Sequence, residues 1–186
     1  PKPQNPVAVD LHKNLVMHNQ NTRPTVVGHR GGFQPENTLL AFKSEVTGLA
    51  GVELDIWLTA DNQLAVVHGG RDGKLSPLDG DEQPLIFEMT LAELLSDSKA
   101  SVFADNLRIL RESADTDVSL VTVPTLDDVF KCVGNGVQVN VEVKTPETND
   151  VAKAKYRPVM TRLLAQLKTS LIDKPRNAIV SSFNHE

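Results

Sequence analysis

The fold of this 186-residue chain is decided by one short stretch, VELDIWL at residues 52–58. Its apolar side chains alternate with Glu53, Asp55 and Trp57, which is the period of a β-strand whose two faces differ. Two carboxylates therefore project from the same side of one predicted strand. Such a pair belongs either to a solvated sheet face or to a functional site, and burial of that face distinguishes the two.

Four other β-rich runs occur along the chain, and helical patterns separate most of them. These runs lie at residues 25–29, 64–68, 139–144 and 178–183. Apolar residues at helical spacing predict helices near residues 39–49, 91–97, 126–133 and 156–171, and Thr125 is expected to cap the third of them. Strands that alternate with helices predict an α/β fold with mostly parallel strands. Only about a dozen residues separate Asp55 from His68, so a hairpin and a shortened βα unit both stay open there.

The domain organisation follows from length and local composition. A chain of 186 residues suits one domain with a sizeable core. Residues 1–24 hold four prolines without sustained periodicity, which predicts an N-terminal arm before a domain at 25–186. Residues 69–124 are too long for a simple crossover, so we expect an insertion there.

Composition excludes several classes of partner and site. Nineteen basic and 24 acidic side chains give a net charge of -5, which argues against a nucleic-acid partner. The single Cys132 rules out an internal disulfide and a cysteine-rich zinc site. The sequence also lacks an apolar run that could span a bilayer and a secretory pattern at its N-terminus, so we expect a soluble, cytoplasmic protein.

The polar residues of the chain gather at or near the ends of the predicted strands. His29 and Arg30 close the first, Glu53 and Asp55 are placed late in the second, His68 closes the third, and Glu142 and Lys144 close the fourth. Carboxyl ends of neighbouring parallel strands meet at one edge of a sheet. Converging carboxylates need a cation, and oxygen ligands favour Mg²⁺ or Ca²⁺. Two histidines and two basic side chains beside that cation indicate phosphoester chemistry.

The motifs, taken together and in order, resemble those of the glycerophosphodiester phosphodiesterase family, from about residue 25 to 183. They are HRG at 29–31, PENT at 35–38, ELD at 53–55, TAD at 59–61, VVH at 66–68, EVK at 142–144, and the later PTL at 124–126 and SSF at 181–183.

The resemblance implies a TIM-type (β/α)8 barrel that hydrolyses small-molecule glycerophosphodiesters to sn-glycerol 3-phosphate and an alcohol with a divalent cation, Mg²⁺ or Ca²⁺. It also implies a role for each matching residue. His29 and His68 resemble the acid/base pair, Glu53, Asp55 and Glu142 the metal ligands, Arg30 and Lys144 the cations that bind the phosphate, and Glu36 and Asn37 the residues that brace the site.

Two departures from the family pattern stand out. The family usually has His-Asp where this chain has His68-Gly69, and Asp72 is the next carboxylate, so we expect the group that orients the imidazole to have moved. A full barrel takes roughly 250 residues, whereas this chain ends near the fifth strand. We therefore expect a barrel that is incomplete at its C-terminus, with about five N-terminal strands and an open edge that pairing with another chain could close.

Two further interpretations stay open beside hydrolysis of glycerophosphodiesters. One is a related barrel phospholipase that acts on a lysophospholipid or on sphingomyelin. The other is a binding relative that has lost catalysis, an interpretation that the replacement of His-Asp by His68-Gly69 and the missing strands both favour. Whether these 186 residues are active by themselves also stays open at this point.

Overall fold

The structure is a computed structural model that describes residues 7–10, 26–45, 49–75, 84–100, 103, 117–172 and 178–183. Most of the expected N-terminal arm, residues 1–24, and large parts of the expected insertion at 69–124 lie outside these ranges.

The described residues form one sheet of six strands with helices between them. In chain order the strands are β1 (Val7–Asp10), β2 (Val27–Gly28), β3 (Gly51–Leu58), β4 (Leu64–Val66), β5 (Gln138–Val143) and β6 (Ala178–Ser182). The spatial order is β1-β6-β5-β3-β2, and β4 also pairs with β3. Strands β2, β3, β5 and β6 run parallel, which confirms the predicted α/β arrangement.

Four α-helices accompany the sheet within the described ranges. They are α1 (Leu39–Glu45), α2 (Leu91–Ala100), α3 (Leu126–Val133) and α4 (Asp150–Ile172). The predicted cap of α3 is confirmed, because Thr125 and Asp128 each accept a hydrogen bond from the other's backbone N–H. None of the described helices is both long and apolar enough to cross a membrane.

The connection from β3 to β4 is a hairpin, which decides between the two alternatives that the sequence left open. Ile56 pairs with Val66 and Leu58 with Leu64 in antiparallel register. His68 therefore follows a strand that runs back along β3. The chain returns there to the level of Asp55, whose carbonyl accepts a hydrogen bond from the Val67 N–H at 3.0 Å.

Strand β3 is the centre of the core. All eight of its residues are buried, including both carboxylates, and its apolar side chains are fully covered. On β5, Val139, Val141 and Val143 are buried, while the alternate positions are half-buried. The polar faces of β3 and β5 are thus not a solvated sheet surface. Burial of these faces is the criterion that favours a functional site over a solvated sheet.

Part of the expected arm joins the sheet. Val7–Asp10 pair in antiparallel register with β6, opposite residues 179–182. A sheet edge offers a row of unpaired backbone groups, and an added strand satisfies them. The prolines that flank this segment gave no signal of the pairing.

Two adjacent leucines of α4 provide a test of this core. Leu163 is fully buried, whereas Leu164 is 52% exposed. We expect Leu163→Ala to lower the free energy of unfolding by about 2–5 kcal/mol, because it leaves a cavity between α4 and the sheet. The neighbouring Leu164→Ala should cost less than about 0.5 kcal/mol. Urea denaturation of both variants measures the difference, and equal costs would contradict the orientation of α4.

Candidate functional site

Three carboxylates meet where β3 and β5 lie side by side. Asp55 and Glu142 are direct partners in the parallel register, and Glu53 precedes Asp55 by two residues on the same face of β3. One oxygen from each of the three lies within 4.8 Å of the others. The structure thus brings together the three residues that the sequence predicted as metal ligands.

The position of Glu53 differs from the sequence expectation. Glu53 is the third residue of the eight in β3 and does not lie late in that strand. Strand β2 is short, and its last residue, Gly28, is level with Val52 of β3. The end of β2, carrying His29 and Arg30, is therefore next to Glu53.

Arg30 is the cation that links this cluster to the first loop. Its backbone N–H donates to Glu53 Oε2 at 2.9 Å, and its Nε lies 3.3 Å from Asp55 Oδ2. Its Nη1 donates to both oxygens of Glu36 at 2.8 Å. Arg30 adopts a left-handed backbone conformation with φ of 52°, which turns its N–H and its side chain toward the same carboxylates.

Asn37 and Lys144 complete the contacts of Asp55. The Asn37 side chain donates to Asp55 Oδ2 at 2.9 Å, and its own oxygen accepts from the Asp55 N–H at 3.4 Å. Lys144 Nζ lies 2.8 Å from Glu142 Oε1 and 3.7 Å from Asp55 Oδ1. Arg30, Asn37 and Lys144 therefore each contact at least one of the three carboxylates, and Glu36 contacts Arg30. These four are the residues to which the resemblance assigned bracing of the site or binding of the phosphate.

The site carries an excess of negative charge that its own cations do not balance. Four carboxylates, of Glu36, Glu53, Asp55 and Glu142, face two cations, Arg30 and Lys144. Burial, followed by the charge of Asp55, raises the pKa of Glu53 to about 7.

Two buried atoms of the cluster have no hydrogen-bond partner, Glu53 Oε1 and Arg30 Nε. An unpaired buried carboxylate oxygen is costly. A divalent cation bound among the three carboxylates would supply both the missing charge and the missing partner, so the donor set fits a hard ion.

The two histidines lie on different sides of this cluster. His29 follows β2, is 73% exposed in its side chain, and places Nε2 3.8 Å from Glu53 Oε2. His68 is half-buried, and burial lowers its pKa below the usual range while the charge of Asp55 opposes the shift. His68 is therefore a neutral imidazole near pH 7 that can accept a proton.

Two cavities adjoin the histidines. One cavity, of about 550 Å³, has both polar and apolar residues in its wall, among them His29, Glu36, Phe33 and Val27. A more apolar cavity of about 310 Å³ is lined by Arg30, His68, Val67, Leu75 and Phe103. Both have room for part of a small molecule beside Glu36, which is in the lining of each.

The turn after His68 leaves no room for a side chain at Gly69. Gly69 has a φ of 69°, and a Cβ atom there would lie 2.7 Å from Ile86 Cδ1 and 3.0 Å from the carbonyl oxygen of Lys74. An L side chain at this position is therefore excluded by both conformation and space. Asp72 is the next carboxylate, and it binds backbone N–H groups of Glu147, Thr148 and Asn149.

Sequence reasoning missed the residues that support the strand ends from behind. Trp57 is 1% exposed, and its indole N–H donates to the carbonyl oxygen of His68 at 3.1 Å. The hydroxyl of Tyr156 donates to the carbonyl oxygen of Lys144 at 3.0 Å. The Trp57 ring also packs against Phe87 and Tyr156. Tyr156 was visible only as an apolar position of a helix.

Comparison with known proteins places this site in a family. The model of the glycerophosphoryl diester phosphodiesterase family matches residues 29–186. A glycerophosphodiester phosphodiesterase of Bacillus altitudinis is 28% identical over 165 residues, which are 86% of this chain and 58% of the relative. One from Caldanaerobacter subterraneus is 29% identical over 164 residues, with the same two shares.

Solved structures give the same result for the fold. The crystal structure of a glycerophosphodiester phosphodiesterase from Thermotoga maritima is 29% identical, with a TM-score of 0.54 over 88% of this chain and 56% of that one. A phosphodiesterase from Oleispira antarctica, solved with the product sn-glycerol-3-phosphate, is 24% identical, with a TM-score of 0.59 over 87% of this chain and 58% of that one. The family has the TIM-type barrel fold, which confirms the predicted fold class.

The chain spans somewhat more than half the length of the curated relatives it matches. Since the family's model matches most of the chain, from His29 to its last residue, the protein belongs to the glycerophosphoryl diester phosphodiesterase family.

Proposed function

We propose that this protein hydrolyses glycerophosphodiesters to sn-glycerol 3-phosphate and an alcohol, with a divalent cation bound by Glu53, Asp55 and Glu142. The observation that carries the proposal is the cluster of these three carboxylates, whose oxygens lie within 4.8 Å of one another beside two basic side chains and His29. The family is generally dependent on a divalent cation, and its curated relatives bear the name of this activity.

The chemistry of the donors limits the choice of ion. Three carboxylates supply oxygen alone, which favours Mg²⁺ or Ca²⁺ over zinc. When bound, such an ion supplies a Lewis acid for a phosphoryl oxygen of the substrate. The chain's own contribution is to hold Glu53 ready as a ligand, through the Arg30 N–H, and Asp55 through Asn37.

Arg30 and Lys144 provide the positive side of the site. Their side chains are 21% and 14% exposed, so each charge is partly shielded from water and directed toward the cluster. A phosphodiester is an anion, and a guanidinium offers it paired hydrogen bonds. Glu36 and Asn37 keep Arg30 and Asp55 in place for that contact.

The two histidines divide the proton transfers. We assign to His68, which is neutral near pH 7, the removal of the proton from the attacking hydroxyl, which is the glycerol 2-hydroxyl. The bond from phosphorus to the alcohol breaks as the new bond forms, and His29 gives a proton to the departing alkoxide. A water molecule then attacks the phosphorus of the cyclic phosphate and gives a proton to His29. The bond from phosphorus to the 2-oxygen breaks, and His68 returns its proton to that oxygen to give sn-glycerol 3-phosphate.

A second candidate activity is suggested by the apolar cavity at His68. Leu75 and Phe103 line this cavity together with His68, so part of its wall is apolar. That surface favours an alcohol group with an apolar portion, as in a lysophospholipid. Within the described residues, no comparable observation favours sphingomyelin.

The activity itself is tested by release of glycerol 3-phosphate from glycerophosphocholine. We expect the 186-residue chain to release it with Mg²⁺ or Ca²⁺ and to stop when EDTA is added. His29→Ala and His68→Ala should each lower the rate by about 10²–10⁴-fold, since each removes one proton transfer. Absence of release from the folded protein would contradict hydrolysis and favour a binding relative.

The metal site is tested by the pH dependence of cation binding. Because the pKa of Glu53 is about 7 without a cation, a proton competes for this ligand below that pH. Calorimetric affinity for Mg²⁺ or Ca²⁺ should therefore fall about tenfold per pH unit below pH 7.

Two variants define the expected result for that titration. Glu53→Gln should weaken binding at pH 8 by about tenfold or more and remove the pH dependence, because the competing carboxylate is gone. Glu88→Gln, which alters an exposed carboxylate paired with Lys155, serves as the control and should bind like the unaltered chain. Equal affinity in Glu53→Gln and the control would show that the ion binds elsewhere.

The choice between the two substrates is tested at the apolar cavity. If the alcohol group lies there, Leu75→Gln should lower the rate with a lysophospholipid by about tenfold while affecting glycerophosphocholine far less. Leu164→Gln, at an exposed leucine of α4, is the matched control and should change neither rate. Equal losses for the two substrates would assign the cavity no part in selection.

A further inference from the structure

Asp72 connects the loops that follow β4 and β5, two strands that both end level with Ile56 of β3. Its Oδ1 accepts hydrogen bonds from the N–H groups of Glu147 and Thr148, each at 2.6 Å, and of Asn149 at 3.1 Å. Its Oδ2 accepts from the Thr148 hydroxyl. These contacts join positions more than seventy residues apart, so they fix tertiary structure and not a local turn.

Each of the two loops carries a residue of the proposed site. Asp72 lies four residues after His68, and Glu147 lies three residues after Lys144. Strand β4, which leads to His68, has only three residues and pairs with β3 off the main path of the sheet. A loop that leaves so short a strand needs another attachment if its histidine is to hold a fixed position.

The turn that presents Asp72 is tightly determined. Asp72 itself has a φ of 60°, between Gly69 and Gly73 with φ of 69° and 86°. The Gly70 N–H donates to the Lys74 carbonyl at 2.6 Å and closes the turn. Left-handed conformations are unfavourable for residues other than glycine, so the contacts of the Asp72 carboxylate have to offset that cost.

Other contacts hold the backbone of the same two loops. Trp57 donates to the His68 carbonyl, Tyr156 donates to the Lys144 carbonyl, and the two rings pack edge to face with centroids 5.5 Å apart. Burial by itself would raise the pKa of Asp72, but hydrogen bonds from Thr148, Asn149 and Glu147 lower it, so this carboxylate is charged at neutral pH. Asp72 and its hydrogen bonds to residues 147–149 are called the clamp below. Asp72 thus joins two loops whose first residues are each held by a further hydrogen bond, from Trp57 to His68 and from Tyr156 to Lys144.

We propose that Asp72 is a positioning residue that locks the loop carrying His68 to the loop that follows Glu142 and Lys144. It acts through the two loops and does not touch the reacting atoms. Its effect on catalysis rests on the proposed function, whereas the clamp itself is observable without any substrate. Because a displacement of about 1 Å can cost about 10²-fold in rate, loss of the clamp should be measurable in both ways.

The structural test uses the fact that Trp57 is the chain's one tryptophan. Its indole contacts the His68 carbonyl and lies beside Gly73, so its fluorescence reports on the loop that Asp72 holds. In Asp72→Ala we expect quenching of Trp57 by acrylamide to rise by about twofold or more, with emission shifted to the red, as the loop opens to water. Asp72→Asn keeps an oxygen for the backbone N–H groups and should restore most of the protection.

The kinetic test is run on the same variants with glycerophosphocholine. Asp72→Ala should lower kcat by about 10- to 100-fold and leave KM within about threefold, since substrate contacts remain while His68 is misplaced. The matched control is Asp117→Ala, which removes an exposed carboxylate that accepts from Ser119 within its own turn. It should change neither the fluorescence nor kcat.

The outcomes separate this inference from the proposed function. If the unaltered chain is inactive but Asp72→Ala exposes Trp57, the clamp stands and the hydrolase proposal fails. If the chain is active and Asp72→Ala changes neither quenching nor kcat, the positioning role is overturned. Should Asp72→Ala not fold, Thr148→Val removes only the hydroxyl contact and must raise quenching in the same direction, and no change there overturns the clamp.

Discussion

The structure depends on one electrostatic constraint, which is that two carboxylates are buried on the central strand. Glu53 and Asp55 are 8% and 1% exposed, and Glu142 lies opposite Asp55 on the neighbouring strand. Burial of like charges is unfavourable unless compensating groups surround them. The left-handed Arg30, the side chain of Asn37 and the ammonium of Lys144 are all arranged around these carboxylates, and burial together with the charge of Asp55 still raises the pKa of Glu53.

That remaining charge explains why a divalent cation fits the site better than another basic residue would. An arginine or lysine adds a single charge on a long side chain, whereas an ion can contact all three carboxylates at once. The same excess of negative charge holds Arg30 and Lys144 beside the carboxylates, through ion pairs with Asp55 and Glu142. Under the proposed function, these two cations bind the phosphate of the substrate. Structure and proposed chemistry thus share one charge distribution.

A second layer of contacts stabilises the edges of the site. Trp57, Tyr156 and Asp72 bind backbone atoms of the two loops that carry or adjoin His68 and Lys144. Gly69, directly after His68, lies at a point where a side chain does not fit, and Asp72 bonds to the opposite loop. The described contacts of this loop are therefore made through backbone atoms of His68 and through the Asp72 carboxylate.

The sequence by itself determined the α/β class, the alternation of β3 and β5, the cap of α3 and the residues that gather at the cluster. Period and capping are local properties, and motif order survives without coordinates. It could not place Glu53 relative to the end of β2, choose the hairpin between β3 and β4, pair residues 7–10 with β6, or reveal the roles of Asp72 and Tyr156. Those features depend on register and on contacts between distant segments, which are settled only when buried charges and backbone groups find partners in the folded chain.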